Sequence, residues 1–186
     1  MIESKATLKE WIKIEQNQYQ KLGYKGKLHA FITQCEIGKI VAYTEALRKD
    51  EYYTNKPNSS IFNKIFLLYW RRRHNQLGCK FGISIPVNTF EKGLIIFHLQ
   101  SIIIHRNVQC GEYCRLHGMN CIGNNGRDIS NKNVPVLGNR IDVGVGASII
   151  GAVKIADNVK IGAGAVVCKS CEKEKAVLVG IPAYSK

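Results

Sequence analysis

An apolar residue recurs at every sixth position between His98 and Cys168, and one break interrupts this pattern. A second residue, usually small or branched, stands two places ahead of each repeat position. A period of six fits neither a helix nor a half-buried strand, so it predicts a parallel β-helix in which three short strands form one triangular coil. The repeat positions are Ile104, Cys110, Leu116 and Ile122 before the break, and Leu137, Val143, Ile149, Ile155, Ile161 and Val167 after it.

Stacked coils of this kind bury the inward residues of each coil on those of the next, as in other solenoids. A residue should therefore return to the same face after about eighteen positions, which is three units of six. The gap from Ile122 to Leu137 is not a multiple of six, so residues 124–134 are predicted to leave the coil as a loop. This polar loop is either a flap over a site at a subunit edge or a solvated excursion.

The chain before the repeat has the pattern of helices, so we expect a helical region over residues 1–82 and a β-helix with a short C-terminal tail over residues 83–186. Three helices are predicted, running from Thr7 to Leu22, from Leu28 to about Tyr53, and from Ser60 to Gly78. The apolar stripe of the third helix is followed by Arg71, Arg72 and Arg73. This basic end either contacts a membrane surface or polyanion, or is the solvated end of a packed helix.

The net charge of +13 favours an anionic partner, which includes a phosphorylated or acidic substrate, a membrane surface or a nucleic acid. The segment from Met1 to Trp11 lacks the apolar run of a secretory signal, and the apolar run from Ile65 to Trp70 is too short to span a bilayer. Seven cysteines, an odd number, then indicate reduced thiols in a cytoplasmic protein. Cys168 and Cys171 have the spacing of a metal or redox pair, but no second pair supports either interpretation.

Three histidines lie within the repeat, at His98, His105 and His117. The eighteen-residue rule places His117 over Leu99 and therefore beside His98, whereas it turns His105 onto another face. Histidine, with an ordinary pKa of about 6.5, is the usual general base of enzymes. A lone histidine is more often structural, and the pair has no third ligand with which to hold zinc.

The segment from Gly93 to Pro182 resembles the hexapeptide-repeat acyltransferases, and within them the serine acetyltransferase branch. The matching motifs are GLIIFH, CIGNNG, VGVGASIIGAVKIADNVKIGAGAVV and VGIPA. The resemblance implies a left-handed β-helix, a homotrimer, acetyl-CoA as co-substrate and no metal. It also implies that His98 is the general base, which takes the proton of an acceptor hydroxyl without a covalent enzyme intermediate.

The resemblance further implies a site for CoA. The family's backbone contacts to CoA match Asn124, Val145 and Ala163, of which only Ala163 keeps the family's residue. Lys169 matches a position that is often basic, where its ammonium would meet a CoA phosphate. No nucleic acid is expected as a partner. The protein is expected in the cytoplasm, where a contact through Arg71, Arg72 and Arg73 would place it at the inner face of the membrane.

The chain departs from serine acetyltransferases where the family carries charged residues. Phe97 replaces an aspartate, Ile83 matches the carboxylate that orients the histidine, and Asn133 and Val134 match an Arg-His pair. The ammonium and carboxylate of serine would meet neutral side chains at these points, at a cost of several kcal/mol. His117 is similar to an extra histidine of serine-acetyltransferase-like enzymes found with polysaccharide biosynthesis. It is predicted as a second catalytic residue, which orients His98 or hydrogen-bonds the acceptor hydroxyl.

We therefore expect an O-acetyltransferase whose acceptor is a hydroxyl of a surface-glycan sugar, of capsule or O-antigen type, or of its precursor. One alternative is a serine O-acetyltransferase of cysteine biosynthesis. An alternative of another class is a catalytically silent β-helix that serves as a scaffold subunit.

Overall fold

The structure, a computed structural model, describes residues 1–56, 60–126 and 133–185, and it contains a helical region followed by a left-handed parallel β-helix. The helices are α1 (Lys5–Lys21), α2 (Lys27–Thr33), α3 (Glu36–Asn55) and α4 (Ile61–Phe81). None of the helices in the described part of the chain is both long and apolar enough to cross a membrane. The predicted break between the second and third helices, over residues 55–59, lies partly outside the described residues.

Local chemistry sets the ends of these helices. Ser4, not Thr7, caps α1, because its hydroxyl accepts the N–H of Thr7 at 3.0 Å. The single second helix predicted from Leu28 to Tyr53 is wrong, because Gln34 adopts a left-handed conformation with φ 53° and divides the segment into α2 and α3. The third helix extends past Gly78 to Phe81 and ends at Gly82, where φ is 67°.

Fourteen strands lie within the described residues and form three sheets, which are the faces of the prism. Face A contains β1 (Ile83–Ser84), β3 (Ile102–Ile104), β6 (Cys121–Gly123), β9 (Ser148–Ile150) and β12 (Val166–Val167). Face B contains β4 (Gln109–Cys110), β7 (Val136–Leu137) and β10 (Lys154–Ile155). Face C contains β2 (Ile95–Ile96), β5 (Arg115–Leu116), β8 (Asp142–Val143), β11 (Lys160–Ile161), β13 (Val177–Gly180) and β14 (Ala183–Ser185).

The chain passes from face A to B to C in each coil, and all the strand pairs are parallel except the pair of β13 and β14. Several strands repeat after eighteen residues, as where Ile104 pairs with Ile122 and Ile149 with Val167, whereas Ile122 pairs with Ile149 across the inserted segment. The first coil is longer, because Ile96 pairs with Leu116, twenty residues further on. Its extra residues lie at a corner where Gln100 and Ser101 have φ angles of 82° and 53°.

The inward positions predicted from the repeat form the core of the prism. All ten apolar repeat positions are buried, and so are the ten companions two places ahead of them. The one polar companion, Asn120, is fully buried, but its amide accepts the N–H of Gly118 and donates to the carbonyl oxygens of Gly144 and Ala147. Its burial is tolerated because its hydrogen-bonding groups are satisfied.

The helices pack against the first coils and share a hydrophobic core with them. A buried ion cluster joins the two parts: Arg48 of α3, which has no exposed surface, contacts Glu15 at 2.7 Å and Glu51 at 2.8 Å. Its guanidinium also donates to the carbonyl oxygens of Phe90 and Glu91 in the β-helix region. Arg48 thus neutralises two buried carboxylates and ties α1 and α3 to the start of the solenoid.

Candidate active site

His98 lies just after β2, at the corner where the chain turns from face C to face A. The helical region holds the backbone on both sides of it. Ile96 N–H donates to the hydroxyl of Tyr19 at 2.9 Å, and Leu99 N–H donates to Glu36 Oε1 at 2.9 Å. Burial raises the pKa of Tyr19, so its hydroxyl stays neutral and remains a fixed partner for the strand. The His98 side chain itself is two-thirds exposed.

A carboxylate faces the ring of His98. Glu36 Oε2 lies 3.5 Å from His98 Nδ1, and half of the Glu36 side chain is exposed. Glu36 is the first residue of α3, far from His98 in sequence. A carboxylate at this nitrogen leaves Nε2 for contact with another molecule.

His117 lies on the next coil and has a second carboxylate. Its Nε2 is 2.8 Å from Asp142 Oδ1, and Asp142 Oδ2 is 3.9 Å from a guanidinium nitrogen of Arg115. The ring of His117 stacks on Phe97. His117 therefore lies over Phe97 and not over Leu99, because the longer first coil shifts the stacking by two residues.

His98 instead lies over Gly118, the residue after His117. A side-chain carbon at position 118 would come within 3.3 Å of His98 Cβ, and Gly118 has a φ of 104°. Asn120 holds this corner through its bond to Gly118 N–H. The two histidines thus lie at the same corner on successive coils, each beside its own carboxylate.

The same corner continues along the prism as a row of stacked turns, which we call the C–A edge. Gly146 N–H donates to the carbonyl of Gly118, and Gly164 N–H donates to the carbonyl of Val145. Val145 and Ala163 are exposed here, and their N–H groups have no acceptor among the described residues. These two free donors lie on the same edge as His98 and can donate to an acceptor group of another molecule.

The other two residues predicted to bind CoA lie on a different edge. Asn124 follows β6 and Lys169 follows β12, so both are at the A–B edge, where the chain turns from face A to face B. The loop predicted over residues 124–134 begins in sequence at this edge, and its residues 127–132 lie outside the described part. Within one subunit, Asn124 and Lys169 are therefore not brought together with His98, Val145 and Ala163.

At the positions where the resemblance expects charged residues, this chain has apolar side chains that are buried and a polar one that is exposed. Ile83 is buried in β1 and Val134 is also buried, whereas Asn133 is exposed. The charges at this site come instead from Glu36 and Asp142, which inspection of the sequence missed. The sequence does indicate Asp142. It stands one place before the repeat position Val143, as Arg115 stands before Leu116, and these two units pair on successive coils. Nothing similar indicates Glu36.

The remaining candidates are dispersed. Arg71, Arg72 and Arg73 are all exposed, and Arg71 also contacts Asp50 at 3.4 Å and the hydroxyl of Thr54. Cys168 is exposed and Cys171 is buried. Over residues 1–56, 60–126 and 133–185 there is no cluster of three or more metal-ligating side chains.

The chain is similar to curated serine acetyltransferases. It is 36% identical over 102 residues to that of Synechococcus elongatus, which covers 54% of this chain and 41% of the relative. It is 38% identical over 87 residues to that of Helicobacter pylori, which covers 46% of this chain and 50% of the relative. The chain thus spans about half the length of the curated relatives it matches. No family model matches it.

Solved structures show the same fold. Serine acetyltransferase of Neisseria gonorrhoeae matches 98% of this chain and 68% of its own, with a TM-score of 0.74 and 20% identity. Soybean serine acetyltransferase complexed with serine matches 97% of this chain and 70% of its own, with a TM-score of 0.71 and 16% identity. The left-handed β-helix with N-terminal helices is confirmed, as is the resemblance to the serine acetyltransferase branch.

The prediction of a surface-glycan sugar as acceptor is wrong. The relatives and structural neighbours are named serine acetyltransferases, which agrees with the alternative and not with transfer to a polysaccharide. The physical reason lies in the two carboxylates. Judged from the replaced positions alone, serine would meet only neutral groups, but the folded chain brings Glu36, Asp142 and Arg115 to the histidines.

Proposed function

We propose that this chain, which resembles the serine acetyltransferase branch of the hexapeptide-repeat acyltransferases, is an acetyl-CoA-dependent O-acetyltransferase whose acceptor is the hydroxyl of L-serine. The observation that carries this proposal is the position of His98, an exposed imidazole that faces a carboxylate and begins a row of free backbone donors on the C–A edge. A silent scaffold would have no need of such an arrangement. The names of the relatives support serine as the acceptor.

In this mechanism His98 acts as the general base. Its Nε2 accepts the proton of the serine hydroxyl while the hydroxyl oxygen attacks the thioester carbonyl carbon. A C–O bond forms, the C–S bond breaks, and the CoA thiolate leaves with the proton that His98 returns. The N–H groups of Val145 and Ala163 bind the arm of the co-substrate along the C–A edge.

The charges beside His117 are suited to the acceptor. Serine has an ammonium and a carboxylate, and each needs an opposite charge when water is removed. Asp142 and Arg115 offer one charge of each sign within 3.9 Å of one another, and their side chains are partly exposed. We propose that His117, with this pair, contacts the acceptor and does not act as a second base.

We also propose that the active unit is a homotrimer. His98, Val145 and Ala163 lie on the C–A edge, whereas Asn124 and Lys169 lie on the A–B edge of the same subunit. A site that uses both edges needs a second copy of the chain. Light scattering should give the mass of a trimer. A monomer that retains full activity would rule out this division of the site between subunits.

The test of the function is release of free CoA thiol from acetyl-CoA with L-serine, compared with a panel of sugars and with L-threonine. We expect thiol release with L-serine, formation of O-acetylserine by mass spectrometry, and loss of both in His98→Ala. No release with any acceptor would favour the silent scaffold. Thiol release with an acceptor other than serine would support the O-acetyltransferase activity and contradict serine as its acceptor.

The exposed faces of α2 and α4 favour a contact with an anionic membrane surface as a further property. Together these helices carry six Lys and Arg residues and no Asp or Glu. Large apolar side chains on them are about half to three-quarters exposed, namely Leu28, Phe31, Ile32, Ile61, Phe62, Ile65, Phe66, Leu68 and Tyr69. We propose that these apolar side chains enter the headgroup region while Arg72 and Arg73 meet anionic lipid. A second copy on this surface would oppose like charges.

Sedimentation with vesicles tests this contact. The full chain should bind phosphatidylserine vesicles and not phosphatidylcholine vesicles, and Phe62→Glu with Ile65→Glu should abolish binding. Ile181→Glu is the matched control, since Ile181 is 77% exposed and lies away from both helices. An absence of binding, or a change of oligomeric state caused by the α4 substitutions, would contradict a lipid partner.

A further inference from the structure

We propose that Glu36 is the positioning carboxylate of His98, supplied by the helical region in place of the carboxylate that the solenoid lacks at Ile83. This inference rests on the proposed function, because it assigns a role within the same site. It concerns a residue on α3 that lies more than sixty positions before the histidine. No pattern in the repeat indicates it.

Glu36 contacts the site with both of its carboxylate oxygens. Oε1 accepts the N–H of Leu99, the residue directly after His98, at 2.9 Å. Oε2 lies 3.5 Å from His98 Nδ1. One carboxylate therefore fixes the backbone beside the histidine and faces its ring. Contacts of this kind are often long in the free enzyme and tighten when substrate binds.

The placement of Glu36 is built into the elbow between α2 and α3. Gln34 is left-handed and Cys35 is extended, which turns the chain so that Glu36 is the first residue of α3. Gly38 packs closely on α2, where a side-chain carbon would come within 2.3 Å of Ala30 Cβ. Because only glycine fits there, the first turn of α3 is held at a defined position against α2.

A carboxylate at Nδ1 has two effects on a histidine base. It favours the tautomer with the proton on Nδ1, so that Nε2 carries the lone pair that accepts a proton. It also stabilises the imidazolium that forms during the reaction. Ile83, which is 4% exposed in β1, can do neither. Glu36 therefore orients the base in a chain whose solenoid has no carboxylate at position 83.

The test compares Glu36→Gln with a matched control, Glu10→Gln, on the exposed surface of α1. The glutamine can keep the bond to Leu99 N–H through its amide oxygen, so the backbone stays in place. Its NH₂ group then faces Nδ1 and favours the tautomer that carries the proton on Nε2. We expect kcat for O-acetylation to fall by about 10- to 100-fold, as for other residues that orient a catalytic ligand, with KM for acetyl-CoA unchanged.

A second measurement is independent of the acceptor. The ¹⁵N spectrum of the His98 imidazole should show the Nδ1–H tautomer in the wild type and the Nε2–H tautomer in Glu36→Gln, with no change in Glu10→Gln. An unchanged tautomer, or a turnover equal to wild type, would overturn the role of Glu36. If the wild type shows no O-acetylation of serine but the tautomers change as expected, the proposed acceptor fails and the assignment of Glu36 stands.

Discussion

The ring of Phe97 lies nearly parallel to the imidazole of His117, with a distance of 4.3 Å between the ring centroids and an angle of 13° between their planes. The resemblance matches Phe97 to an aspartate of serine acetyltransferases, so a stacked ring is found where that family is expected to carry a charge. Asp142 holds His117 from another direction at 2.8 Å. Phe97 and Asp142 together restrict the orientation of His117.

The first prediction tests this stack. Phe97→Leu keeps an apolar side chain but removes the ring, so the free energy of unfolding should fall by about 0.5–1.5 kcal/mol. The same substitution in a His117→Ala background should cost clearly less, because the partner ring is already absent. Urea unfolding of the four proteins measures the coupling. Equal losses in both backgrounds would show that the stack contributes nothing to stability.

The second prediction concerns the base. His98→Ala should lower kcat by roughly 100- to 10,000-fold, the usual contribution of a positioned general base, and leave KM for acetyl-CoA nearly unchanged. His29→Ala is the matched control, because His29 lies on α2 and outside the β-helix. Turnover of His98→Ala near that of the wild type would remove His98 from the mechanism.

The third prediction concerns the acceptor subsite. His117→Ala and Asp142→Asn should each raise KM for serine more than they lower kcat, because the two residues act on the acceptor and not on the proton. The double variant should be little worse than either single one, since Asp142 contacts His117 directly. Losses that appear only in kcat would place His117 in the chemical step instead.

The fourth prediction concerns the buried cluster that joins the helices to the solenoid. Arg48→Met leaves the carboxylates of Glu15 and Glu51 buried without their partner, so unfolding free energy should fall by about 3–5 kcal/mol. Arg72→Met, at an exposed position on α4, should change it by less than about 0.5 kcal/mol. Denaturant unfolding measures both. Equal stability of the two variants would show that the cluster is not what holds the helices on the coils.

The fifth prediction concerns the acid limit of stability. Hydrogen bonds from the Asn139 side chain and backbone lower the pKa of Asp157 in the folded chain. The stabilisation is therefore present above the unfolded pKa of about 3.9 and is lost as pH falls through the lower, folded value. The stability difference between wild type and Asp157→Ala should shrink below about pH 4. A difference that is constant from pH 7 to pH 3 would mean that the charge is not involved.

The repeat alone predicts the solenoid because burial imposes it on every coil. Each inward position, from Ile104 to Val167, must be apolar or satisfied, and all of these positions are buried. The corners carry no such requirement. Nothing in the repeat shows that two extra residues after His98 lengthen the first coil, and this alone moves His117 from Leu99 to Phe97.

The candidate site is predictable only where its residues belong to the solenoid. His98 follows from the resemblance, but Glu36 reaches it through the packing of α3 on the first coil, which no local pattern encodes. The helix boundary at Gln34, which brings Glu36 to the start of α3, was also not predictable, because glutamine has no special preference for a left-handed conformation. A charge that is missing from one position of the solenoid is not missing from the site, because α3 brings the carboxylate of Glu36 to His98.

The insertions of this solenoid all fall at its corners, and the inward columns continue across them unchanged. Two extra residues follow His98 and a long polar segment follows Gly123, yet Ile104, Ile122 and Ile149 still stack directly on one another. Because the insertions do not disturb the inward columns, changes at the corners are separated from changes in the stacked strands. Selection can lengthen or replace the corners that meet substrates while the stacked strands keep their sequence, so new acceptors become accessible to this architecture without a new fold.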